Sequence, residues 1–128
     1  MATFRVPAGA GRIYVSSAHG TMYYNPWEAY GQGEPERVEA IFPACTLVGL
    51  RVNVAYNTLN DKLSFMLVKN GLLQSATYLS VSAGSTGVFT KDFSLSVSDG
   101  DRICLLIKED ATSGYAYLTF TIIMEYTV

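Results

Sequence analysis

The chain has 128 residues, 49% of them apolar and 16% charged, and nine Lys/Arg against eleven Asp/Glu leave a net charge of −2 without any block of like charge. That balance argues against nucleic-acid binding driven by phosphate neutralisation, and no apolar run approaches the ~20 residues that span a bilayer. The length suits a single domain spanning residues 1–128, and a charged fraction well below the usual ~25% leaves part of the surface to be covered by copies of the chain or by a partner.

All four prolines, Pro7, Pro26, Pro35 and Pro43, fall in residues 1–44, so this segment is built differently from the rest. Its start, Met1-Ala2-Thr3-Phe4-Arg5, lacks the basic-then-apolar layout of a secretory leader. Arg12 to Ala18 reads as a strand, His19-Gly20 as a turn, and Thr21 to Tyr24 as a strand returning against it. Asn25 to Glu36 mixes Pro, Gly, Trp and Tyr with little periodicity, which is expected of an excursion lying on something else. Val38 to Phe42 is a further short strand.

From residue 45 the period is two. Leu50, Val52, Val54 and Tyr56 share one face of a strand, and Arg51, Asn53, Ala55 and Asn57 share the other. Lys62 to Lys69 keeps Leu63, Phe65 and Leu67 in phase and runs into Asn70-Gly71, two residues that tolerate the positive φ of a type I′ hairpin turn. A return strand is expected over Leu72 to Val81. After the small-residue loop Ser82 to Gly87, Val88 to Val97 holds Phe89, Phe93, Leu95 and Val97 in phase, as an edge of the sandwich. The tight turn Ser98-Asp99-Gly100-Asp101 leads to Arg102 to Lys108. The final stretch sets Leu118, Phe120, Ile122, Met124 and Tyr126 against Tyr117, Thr119, Thr121, Ile123 and Glu125. A strand so long and β-branched belongs inside a sheet, where both edges are paired. With no helical period anywhere, the expected fold is all-β: a jelly-roll-like antiparallel β-sandwich of about eight strands.

Chemistry is sparse by comparison. His19, the sole histidine, sits beside a glycine in a turn with no activated nucleophile near it in sequence, so no catalytic residue is assigned. Asp99/Asp101 and Glu109/Asp110 are acidic pairs, but neither has the alternating oxygen ligands of a calcium loop, and carboxylates facing each other across a cleft cannot be read from separation. Cys45 and Cys104 are too few for zinc, and they are read as free thiols acting as small apolar side chains. An inter-sheet disulfide of the immunoglobulin kind fits the spacing, but Trp27 precedes both cysteines. Gly9-Ala10-Gly11 and Gly31-Gln32-Gly33 have no adjoining helix to hold an anion. No cofactor is implied. The aromatic group Tyr23, Tyr24, Trp27 and Tyr30 has two readings, local core cover or a contact surface for a partner or a sugar.

Leu47-Val48-Gly49-Leu50-Arg51-Val52-Asn53-Val54, then Leu67-Val68-Lys69-Asn70-Gly71, then Leu95-Ser96-Val97-Ser98-Asp99-Gly100-Asp101-Arg102-Ile103 follow an order that resembles bacteriophage jelly-roll structural domains. The outline is also similar to C1q and tumour-necrosis-factor-like trimers. The resemblance covers residues 45–128. It implies a non-enzymatic viral structural protein, a decoration or cement protein bound to the major capsid protein shell. Such a protein is expected to be made in the host cytoplasm, to reside on the virion surface and to be homo-oligomeric, a trimer first. The alternative is a tail or receptor-binding module that recognises a host glycan. Residues 1–44 lie outside the resemblance and are the expected attachment element, an arm carrying Phe4, Arg5, Tyr14, Tyr23, Tyr24 and Trp27, with Phe4, Arg5, Tyr23, Tyr24, Trp27 and Tyr30 as partner-binding residues.

Overall fold

The computed structural model describes residues 3–9, 11–28 and 31–127. Among them twelve strands form two antiparallel sheets, with two single turns of 3-10 helix. Eight strands have four residues or more: β1 (Thr3–Gly9), β2 (Ile13–Ser16), β3 (Thr21–Tyr24), β6 (Cys45–Asn57), β7 (Leu63–Lys69), β10 (Gly87–Val97), β11 (Asp101–Glu109) and β12 (Tyr115–Thr127). Four of two or three residues, β4 (Gly31–Gln32), β5 (Ala40–Phe42), β8 (Leu72–Leu73) and β9 (Leu79–Val81), raise the total above the expected eight.

The first sheet runs β1-β12-β6-β10, with β2 continuing the β1 edge of β12; we call it sheet A. The last strand is interior, as its composition demands, pairing β1 and β2 on one side and β6 on the other. Thr3–Gly9 is therefore a sheet edge paired residue by residue from Thr3↔Thr127 to Gly9↔Thr121, and Pro7 is tolerated because an edge strand leaves one side unpaired. The opposite edge is β10, where Lys91 and Asp92 are exposed.

Sheet B runs β4-β3-β11-β7-β8, with β5 also against β11 and β9 also against β7. Here the expectation for Thr21 to Tyr24 is corrected. This strand crosses to the other sheet and pairs β11 from Leu105↔Tyr24 to Lys108↔Thr21, because the turn at His19 and Gly20 (φ 62°) carries the chain between layers. Asn70 (φ 52°) and Gly71 (φ 78°) form the expected left-handed hairpin tip. Asn70 also clamps the neighbouring turn: its Nδ2 donates to Asp101 Oδ1 (3.0 Å) and its Oδ1 accepts from Arg102 N (2.9 Å). The return strand, expected to be continuous from Leu72 to Val81, is broken by a 3-10 turn at Ser75–Thr77. There Thr77 Oγ1 takes the Leu67 N–H (2.9 Å) that a ladder partner would have taken, and donates to the Gln74 carbonyl (2.7 Å).

The inner faces meet in one core containing Leu47, Leu50, Val52, Val54, Phe65, Leu67, Ile103, Leu105, Phe120 and Ile122. A second cluster, Val38, Val68, Cys104 and Leu106, lies on the outer face of sheet B. Tyr23 packs against it, and Val38, just past the Asn25–Glu36 excursion, is buried within it. Asn25 pins that excursion: its Oδ1 accepts from Trp27 N (2.8 Å) and its Nδ2 donates to the Val38 carbonyl (3.1 Å). Both thiols are free, Cys104 within this second cluster and Cys45 only partly buried beside the main core.

Candidate functional site: an open tyrosine face

The period-two reading of β6 holds from Leu50 to Val54 and then fails at Tyr56, which is exposed while Asn57 is buried. The cause is a β-bulge. Tyr117 pairs Tyr56 but Leu118 pairs Val54, so Ala55 is an extra residue and every later side chain changes face. Asn57 turns inward with its polar atoms used, Nδ2 on the Ser85 carbonyl (3.0 Å) and Oδ1 on Leu59 N (3.0 Å). Tyr56 turns outward instead of joining Leu50, Val52 and Val54.

That flip completes an aromatic group on the outer face of sheet A. Tyr117 is flanked by its two cross-strand partners, Tyr14 on β2 and Tyr56 on β6, and Tyr115 shares its face two residues earlier. Ring centroids lie 5.4 Å apart for Tyr14–Tyr117, 6.4 Å for Tyr56–Tyr117 and 5.1 Å for Tyr56–Tyr115. These separations fall within the favourable range for aromatic pairs, at about 0.5–1.5 kcal/mol each. The Arg12 guanidinium stands 4.0 Å above the Tyr117 ring, and His19 meets Tyr14 edge-on at 5.8 Å. Hydrogen bonding to Tyr56, with the other phenols nearby, holds the Tyr115 hydroxyl above its ordinary pKa. Tyr14 remains 46% and Tyr56 42% exposed, so the rings are held in place by one another and still open to solvent. Such a surface offers large apolar area and several hydroxyls at little further cost in side-chain entropy, which suits protein or carbohydrate contact.

The residues singled out in the sequence are not gathered into one patch. Arg5 pairs Glu125 (3.1 Å) in the outward phase of β12, at the far end of the strand from the tyrosines, with Phe4 exposed beside it. Trp27 is half-exposed and lies over Phe42 at 5.7 Å, while Tyr23 packs on the outer cluster of sheet B. Tyr24 is a correction: it is buried in the main core, where desolvation raises its phenol pKa, so it presents no face to a partner. Tyr30 lies outside the described residues. Tyr14 was read as part of the attachment arm, and the β2–β12 pairing sets it beside Tyr117; of the missed residues, Tyr115 and Tyr117 were legible as neighbours on one face, whereas Tyr56 needed the bulge.

Of the other polar groups weighed in the sequence, His19, Glu109 and Asp101 have structural partners. His19 Nδ1 accepts from Ser16 N (3.2 Å). Buried Glu109 accepts from Gly20 N (2.6 Å) and Ala111 N (2.8 Å), tying the two sheets' connecting turns together. Asp101 caps the turn by accepting from Ser98 N (2.8 Å); the bonds from Asn70 and Ser98 lower its pKa. Among the described residues no three His, Cys, Asp or Glu side chains converge as metal ligands.

No family model and no curated protein matches the chain. Among solved structures it is similar to the coat protein of Tobacco streak virus, at 12% identity and a TM-score of 0.46, over 98% of this chain and 88% of that one. It is also similar to a carbohydrate-binding module, CBM36, solved with calcium and xylotriose, at 14% identity and 0.39, over 97% and 99% of the two chains. An exo-β-1,3-galactanase from Phanerochaete chrysosporium matches at 11% identity and 0.39; 66% of this chain aligns, and it spans only 19% of the enzyme's length. Likenesses this remote assign no function.

Proposed function

We propose that this protein is a non-enzymatic component of a phage virion that decorates the assembled capsid and reinforces it. The observation that carries the reading is the tyrosine face of sheet A: four mutually packed rings and Arg12, open to solvent and fixed by three strands. Aromatic residues and arginine dominate the energetic centres of protein interfaces, and rings already ordered lose little freedom on docking. The sequence resemblance of residues 45–128 to phage jelly-roll domains supports the choice of partner, the major capsid protein shell. Phe4 and Arg5, in the same sheet but at the opposite end of β12, supply a second contact to a neighbouring shell subunit. A homotrimer multiplies these contacts, and a ligand that binds only the assembled shell stabilises it in proportion to RT ln(1 + [L]/Kd).

Co-sedimentation with empty shells of the source particle tests the reading. Saturable binding at a copy number set by icosahedral symmetry, with shells that survive higher temperature, is the expected result. A protein that stays in the supernatant at every concentration would overturn it. The second reading is a tail module that recognises a host glycan, favoured by the same open phenol rings, on which sugar C–H faces stack. Glycan-array binding that is lost on Tyr115→Ala, without shell binding, would select it.

A further inference from the structure

The cover over the outer face of sheet B stops partway along the strands. Val38, Val68, Cys104 and Leu106 pack together there with Tyr23 beside them, whereas in the next rows Met66, opposite Leu106, is only partly buried and Lys108, opposite Ser64, is exposed. The break at Ser75–Thr77 lifts the chain out of the sheet beside these rows, so that Leu73 and Tyr78 form a wall. The result is a pocket of about 260 Å³. It is smaller than the ~300 Å³ at which sites for drug-sized ligands begin, so it suits a single ring.

Its two ends differ in chemistry. Met66 and Leu106 make an apolar floor beside the Leu73 wall, whereas Lys62, Lys108 and the Tyr78 hydroxyl stand at the polar end. Ser64 Oγ and Tyr78 Oη are hydrogen-bonded at 3.1 Å. That bond and a second from Ser80 lower the Tyr78 pKa, and Lys62 and Lys108 add a smaller effect in the same direction. Among the described residues Lys62 makes no ion pair, and Lys108 reaches Asp110 only at 3.8 Å. Two lysines line the same pocket as the Ser64 and Tyr78 hydroxyls, a polar end whose charge suits one anionic group. Asp110 at the rim opposes a dianion such as phosphate and is placed to accept from a hydroxyl.

We infer that this pocket binds a uronic-acid-type sugar, with the carboxylate between Lys62 and Lys108, a ring hydroxyl donating to Asp110, and the ring's C–H face against Met66 and Leu106. The pocket lies on the sheet opposite the tyrosine face, so the inference is independent of the capsid reading, and either can fail alone.

The test uses the full chain with its Met66 methyl group observed by NMR during titration with D-glucuronate, D-glucose and benzoate. Glucuronate is expected to shift the Met66 signal saturably. Glucose, which lacks the carboxylate, should bind at least ~10-fold more weakly, the worth of about one good charged contact. Lys62→Ala and Lys108→Ala, both at exposed positions, should each weaken glucuronate ~5- to 10-fold without moving the melting temperature. An unmoved Met66 signal at ~10 mM glucuronate, tenfold above a ~1 mM dissociation constant, would overturn the site. Benzoate binding as tightly as glucuronate would overturn the sugar assignment, and unchanged affinity in both lysine variants would overturn the placement of the carboxylate.

Discussion

The outer faces of the two sheets are built from similar strands and end up with opposite roles. On sheet A, β12 alternates strictly, Leu118, Phe120 and Ile122 inward against Tyr117, Thr119 and Thr121 outward, and the outward row stays open. On sheet B, β11 carries Ile103, Cys104, Leu105, Leu106 and Ile107 in succession, all buried, because Val38 and Tyr23 pack with Cys104 and Leu106 on its outer side. A strand that is apolar on every residue announces a lid, and one that alternates announces a free face. The lid and the free face both carry aromatic residues. Tyr23 packs on the covered cluster, Tyr24 in the main core and Trp27 over Phe42, while the tyrosines spaced along β2, β6 and β12 remain available.

The largest expected effect comes from attacking the lid. Val38→Asp puts a carboxylate against Val68 and Cys104, and it should cost about 3 kcal/mol or more, read from the denaturant midpoint, or prevent folding. A near-native midpoint would mean that the excursion does not seal that face. Next is Gly114, which starts the chain into β12 at φ 95°, with the Thr58 carbonyl where a Cβ would stand. Gly114→Ala should cost about 2–3 kcal/mol and disturb Tyr115, seen as a change in near-UV circular dichroism.

Buried Cys104 gives a pH signature for the lid. Burial, reinforced by the nearby Glu39 carboxylate, pushes its thiol up to about 12. The folded state therefore keeps its proton where the unfolded chain, with an ordinary thiol pKa near ~8.5, has lost it. Stability from this group is complete below pH ~8.5 and falls as pH rises toward 12, with a limiting slope of ~1.4 kcal/mol per pH unit. Cys104→Ala should remove that part of the slope; identical pH dependence in wild type and variant would show that the thiol is not sealed. The smallest stability effect belongs to the open face. Tyr56→Ala should cost about 1–2 kcal/mol, read from the denaturant midpoint, since the exposed ring loses only its pairings with Tyr115 and Tyr117.

Much of the layered fold is readable from alternation and turn chemistry. Asn70-Gly71, the Asp101 turn and the interior position of β12 all follow from local rules, because φ preference and period two act within a few residues. What escapes those rules is set by distant partners. The Ala55 bulge is visible only against Tyr117 and Leu118, and the break at Ser75–Thr77 exists because Thr77 reaches Leu67 across the hairpin. Thr21 to Tyr24 looks like a returning strand, yet the choice of sheet is a matter of topology, which leaves no mark in the strand itself. The site was legible to the same degree: the abundance of tyrosine was plain, but which tyrosines meet depends on two pairings and one bulge.

The central claim is that the tyrosine face of sheet A, rather than the aromatic residues of the N-terminal excursion, is the docking surface. Shell co-sedimentation of Tyr56→Ala/Tyr115→Ala beside Trp27→Ala tests it most directly, with thermal melts confirming that all the proteins are folded. The double variant is expected to lose at least ~10-fold in affinity, about 1.4 kcal/mol, while Trp27→Ala binds as the parent does. Loss of binding in Trp27→Ala with full binding by the double variant would contradict it.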